Sequence, residues 1–98
     1  MGRAPRPKPS RLSEKLLAIR TALGMSQTQI WRALEVTADY TAISQYESGK
    51  REPPLPVLLR YAELANVYVD AVIDDRVDLP EKLPAREKHA GIKRSSRR

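Results

Sequence analysis

Residues 26–53, SQTQIWRALEVTADYTAISQYESGKREP, decide how this chain is read. Ser26 with Gln29 in the third position after it has the spacing of a capping box, so a helix opens here. Ile30 and Leu34 lie one turn apart and face inward, and Ala33 permits close approach. Residues 35–38 read as a turn. Either Thr37 or Asp39 can cap the helix that follows, which runs from Tyr40 to Tyr46 or Glu47. Ile43 anchors its inner face, Ala42 allows a tight crossing, and Tyr46 packs behind. Gly49 suits a positive-φ helix end. Lys50 and Arg51 then stand where a phosphate could be clamped.

This pattern leaves Tyr40, Thr41, Ser44 and Gln45 on the outer face of the second helix. Glutamine pairs geometrically with adenine, threonine and tyrosine offer a hydroxyl or an apolar contact to a thymine methyl, and serine is permissive. The plain alternative is a polar surface without a ligand. Against it stands the order of elements: a capped helix, a turn, and a short polar helix are the parts of a helix-turn-helix. Gln27, in the first turn of the first helix, is placed to bond a phosphate beside the helix N-terminal amides. Trp31, the single tryptophan, reads as packing rather than as a ligand platform.

Upstream, Leu12, Leu16, Ile19 and Leu23 repeat at helical spacing, with Leu17 widening the stripe, and predict a helix over 10–24 ending at Gly24. Arg20 lies nearly on that apolar face, where a long stem reaching a carboxylate would be structural. Downstream, Pro53 and Pro54 end the loop and Pro56 suits the first turn of a helix to about Asn66, with Leu55, Leu58, Leu59, Ala62 and Ala65 inward and Tyr61 helping. A last short helix is expected over 69–73. Its Val69, Val72 and Ile73, together with Leu79, exceed what so small a body needs and make a candidate dimer surface. Asp70, Asp74, Asp75, Asp78 and Glu81 form an acidic belt, which places this end away from DNA.

The chain has 98 residues, 41% of them hydrophobic, enough for one all-helical core. Residues 1–9 read as a disordered basic arm, 10–83 as the folded domain and 84–98 as a disordered basic tail, in which His89 is solvated. Net charge is +6, but the arm carries +3 and the tail +5, leaving −2 on residues 10–85. Nucleic-acid affinity must therefore come from a local face and the arms. The arm is either a solvating tail or a strand that follows DNA phosphate or the minor groove. There is no cysteine, no metal-ligand spacing and no phosphate-cradling glycine loop, so neither an enzyme nor a bound cofactor is expected. No signal segment or membrane span is present in the sequence, and a cytoplasmic protein is the expectation.

Three pieces, LLAIRTALGMSQ at 16–27, ISQYESGKREPPLPVLLRYAELA at 43–65 and VYVDAVID at 67–74, resemble the Cro/repressor-like helix-turn-helix proteins, the Xre family of bacterial and phage transcriptional regulators. The resemblance covers residues 12–74 in order and spacing. It implies a compact, all-α, five-helix, lambda-repressor-like DNA-binding domain. It also implies that Gln27 contacts phosphate and buttresses the start of the reading helix, and that Arg20 and Glu47 form a buried pair. Tyr40, Thr41, Ser44 and Gln45 would face the bases, with Lys50 and Arg51 in the loop that follows, and Thr37 in the turn is a further candidate for DNA contact. Members commonly bind palindromic operators as homodimers.

Two departures stand out. Eight residues, EVTADYTA, separate Leu34 from Ile43, about two more than the family pattern leaves. Trp31 stands where the family prefers alanine. The changes are expected to compensate, with the indole filling space that the longer turn opens.

The resulting expectation is a sequence-specific double-stranded DNA-binding regulator, a repressor acting as a homodimer on DNA in a bacterial or phage setting. One alternative is an antitoxin-type or phage-control protein that also binds a protein partner through residues 67–83. Another is a protein-interaction module that keeps the fold without readout.

Overall fold

A computed structural model describes residues 9–86. Five helices follow in order: α1 (Leu12–Ala22), α2 (Gln27–Leu34), α3 (Thr41–Ser48), α4 (Leu55–Ala65) and α5 (Val69–Ile73). The basic arm up to residue 8 and the tail from residue 87, with His89, lie outside the described residues.

The α2 start follows from its sequence. Ser26 Oγ accepts from Gln29 N at 3.1 Å, while Gln29 Oε1 accepts from Ser26 N at 2.7 Å, closing the capping box. Gly24 (φ 70°) and Gly49 (φ 83°) supply left-handed turns after α1 and α3. Glu35 (φ 54°) takes the same conformation after α2, where a side chain costs about 1–2 kcal/mol that glycine avoids.

The first turn of α3 departs from expectation. Neither Thr37 nor Asp39 caps it with a side chain. Tyr40 occupies the cap position in a helical conformation without a side-chain cap bond. The entry is instead tightened by backbone bonds, Ala42 N to Asp39 O at 2.9 Å and Ile43 N to Tyr40 O at 3.1 Å.

Leu16, Ile19, Ile30, Leu34, Ile43, Tyr46, Tyr61, Val67 and Val72 form the centre of one core, with α1 packed against α3, α4 and α5. The inner face of α4 is rotated from the expected one. Val57, Leu58, Tyr61, Ala62 and Ala65 are buried, whereas Leu55 and Leu59 point outward. Leu17 is likewise outside the α1 stripe.

Val72 is fully buried in its own chain, so it supports the fold and offers no dimer surface. Val69, Ile73 and Leu79 are only partly exposed and pack against the same core. The fold also continues past residue 83. Ala85 N donates to Ala65 O at 2.9 Å and Asn66 Nδ2 to Ala85 O at 2.7 Å, which straps the chain across the end of α4.

The acidic belt is largely internal currency of the fold. The Asp75 carboxylate accepts from Ser10 N (2.9 Å) and Arg11 N (3.0 Å), fixing the chain just before α1 from a distant segment. Asp78 pairs with Arg11 at 2.9 Å. Buried Lys15 donates its Nζ to the carbonyls of Ala71, Asp74 and Val77, gathering the C-terminal end of α5.

Candidate nucleic-acid interface

The polar face of α3 is built by its own periodicity. Ala42, Ile43 and Tyr46 turn into the core, which leaves Thr41, Ser44 and Ser48 along one exposed stripe. Tyr40, 53% exposed, stands at the helix entrance beside them. Thr37 is exposed in the preceding turn. Ser48 joins this stripe although the sequence reading passed over it; its spacing of seven from Thr41 was the available signal.

The hydroxyls of Ser44 and Ser48 donate back to the carbonyls of Thr41 and Gln45, at 3.0 and 3.2 Å. Their donors are thereby occupied, and their oxygens remain acceptors, suited to an amino group on adenine or cytosine. Gln45 is half-buried, and its Oε1 accepts from Arg51 Nη1 at 3.2 Å. That bond occupies one of the two lone pairs on the amide oxygen, and the other lone pair and both amide hydrogens remain for the expected two-point pairing with adenine. Arg51 also lies over the Tyr46 ring, 5.9 Å from its centroid. Lys50 is exposed next to it.

Beneath the face, three elements meet at one carboxylate. Glu47 Oε2 accepts from Arg20 Nε at 2.6 Å, and Oε1 accepts from Arg20 Nη2 and Gln27 Nε2, both at 3.1 Å. Arg20 also donates to Met25 O at 3.0 Å. The bidentate pair raises the already high Arg20 pKa through the Glu47 hydrogen bond, so this cation stays charged. Gln27 departs from the expectation: it buttresses the end of α3 through Glu47, not the start, and its amide is drawn inward by that carboxylate.

The longer turn is held by Trp31. Its Nε1 donates to Ala38 O at 2.7 Å, and its ring meets Tyr40 edge-on with centroids 6.2 Å apart. The indole thus spans from α2 to the entrance of α3. Arg60, reaching across from α4, bonds Leu34 O at 3.0 Å and Ala33 O at 3.1 Å and closes the exposed end of α2. No local signal in the sequence marked Arg60 for that task.

Compared with known proteins, residues 16–72 match the model of a helix-turn-helix family. No curated protein and no solved structure matches the chain. Among the described residues no group of acidic, histidine or cysteine side chains is arranged to hold a metal ion. No described helix is long and apolar enough to cross a membrane.

Proposed function

The chain belongs to the Cro/C1-type, Xre-like helix-turn-helix family of DNA-binding transcription regulators, and from that membership we propose that it is a sequence-specific repressor reading a palindromic double-stranded operator as a homodimer. The observation that supports this most is the α3 face. Thr41 and Ser44 are exposed on a helix tied from behind through Glu47, Arg20 and Gln27, with exposed Tyr40 at its entrance and half-buried Gln45 beside them. Rigid backing matters because base discrimination depends on placing donors and acceptors within hydrogen-bond tolerance.

Roles divide by chemistry. Tyr40, Thr41, Ser44 and Gln45, with Thr37 at the margin, address base edges. Lys50 and Arg51 address phosphate, and each phosphate they neutralise releases counterions, so affinity falls with salt. Repression would follow from occupying the operator.

Residues 67–83, which suggested a separate protein partner, spend Val67, Val72 and Val77 inside their own core. The DNA reading is therefore preferred. Random-duplex selection with the purified protein, repeated for Gln45→Ala and Lys50→Ala, tests it. Gln45→Ala should change the preferred sequence, and Lys50→Ala should weaken all sequences alike and reduce the salt slope by about one. Equal affinity of the unmodified protein for selected and scrambled duplexes would sink the reading.

A further inference from the structure

Arg51 belongs to the loop after α3, yet its side chain returns to the helix. Its backbone N donates to Gln45 O at 3.2 Å, an oxygen that also accepts from Ser48 Oγ at 3.2 Å, so the loop is closed onto the last turn of α3. The guanidinium then lies 5.9 Å from the centroid of the Tyr46 ring, and Tyr46, 1% exposed, is fixed in the core. From this seat Arg51 Nη1 donates to Gln45 Oε1 at 3.2 Å.

The chemistry of that bond decides which way the amide points. Arginine carries donors only, so it can face the oxygen of Gln45 and never its NH2 group, and Nε2 is turned away from Arg51. A glutamine without such a neighbour turns its amide over freely and offers donor and acceptor in either order. Adenine presents N7 as acceptor and N6 as donor in the major groove, and turning the base pair over reverses that order. A free glutamine thus accepts adenine on either strand, whereas a fixed one matches a single strand. On that strand the second lone pair of Oε1 takes the N6 hydrogen and Nε2 donates to N7; on the other, like groups would meet.

We propose that Arg51 is a positioning residue for readout, which holds the Gln45 amide in one orientation and so sets the strand on which each half-site must carry adenine. This rests on the operator reading above and deepens it. The guanidinium has further donors for phosphate, so one cation joins attraction to DNA with the order in which a base is read.

Random-duplex selection with the full chain tests this at the base pair where Gln45→Ala alters preference. There the unmodified protein should favour adenine on one strand over adenine on the other about tenfold, and Arg51→Ala should bring that ratio within about twofold. Lys50→Ala should weaken binding without moving the ratio. In the Gln45→Ala background, Arg51→Ala should leave preference untouched. An unmodified protein that accepts both strands alike at that pair, or an Arg51→Ala protein that keeps the ratio, overturns the proposal. So does a preference that Arg51→Ala shifts without Gln45, since Arg51 would then read a base itself. A second measurement needs no DNA. Side-chain NMR relaxation should find the Gln45 amide restrained in the unmodified protein and mobile on the picosecond-to-nanosecond scale in Arg51→Ala, with the melting curve held because Arg51 is exposed. An amide equally mobile in both also overturns it. An unmodified protein indifferent to duplex sequence would instead remove the operator reading, and the strand assignment with it.

Discussion

Arg20 and Lys15 sit on the same helix, both bent against the protein interior, yet they are satisfied in opposite ways. Arg20 meets a carboxylate, Glu47, in a two-point pair that Gln27 completes. Lys15 meets no carboxylate directly; three main-chain carbonyls receive its ammonium. At the first site side chains orient one another, so the angle between α1 and α3 depends on particular residues. At the second a cation collects the partial charges of a helix end, so the backbone path of α5 is what it fixes. One clasp steadies the face proposed to read DNA, and the other steadies the base that carries it.

Lys15→Met should break the base most severely. It keeps the stem but orphans three carbonyls, and a loss of about 3 kcal/mol is expected in denaturant unfolding. A loss below a third of that would mean water replaces the ammonium there. Glu47→Gln should cost about 2 kcal/mol by leaving a largely buried Arg20 without its counter-charge. It should also lower sequence discrimination, which Lys15→Met should leave intact in the folded fraction. If both variants changed discrimination alike, the division between reading clasp and base clasp would collapse.

Trp31→Ala should cost about 2 kcal/mol, less than a fully buried indole, with salt-dependent attraction to DNA retained. An unchanged thermal midpoint would show that the long turn holds itself. The smallest effect is expected at Asp75. The backbone amides of Ser10 and then Arg11 hold its carboxyl below the usual carboxylate value. Stability from a depressed carboxylate is complete above its unfolded pKa, near 4, and is lost as pH falls through the folded value. Asp75→Asn should therefore melt lower than the unmodified protein at pH 7, with the gap closing below about pH 4. Asp74, drawn to about 2 mainly by its hydrogen bond from Arg76, should keep contributing in both proteins.

The reading clasp was legible and the base clasp was not. Ser26 and Gln29 announce α2 by local spacing, Gly49 announces the end of α3, and residues 69–73 announced α5 at its observed bounds. Arg20 and Glu47 were visible through family resemblance. Lys15 escaped because periodicity counts apolar residues, and a charged residue on a buried face looks like a break in the stripe. Asp75 escaped because its partners are distant in sequence. In α4 the apolar pattern places Leu58, Tyr61, Ala62 and Ala65 inward, as observed, but Leu55 and Leu59 face outward and Val57 takes an inner position, because a helix rich in apolar residues leaves its phase open. At the interface, the residue types on α3 could be chosen from sequence. The Gln45 to Arg51 bond and the inward commitment of Gln27 depend on how α3 leaves the core.

The bond from the Trp31 indole to Ala38 O has a practical result. This protein has one tryptophan, and it touches both the turn and Tyr40 at the entrance of α3. Its emission is therefore a native optical probe of that entrance, half-shielded and hydrogen-bonded before DNA arrives. A titration followed at tryptophan wavelengths would register a rearranged turn without any added dye, and a flat signal alongside tight binding would show that the entrance is already set.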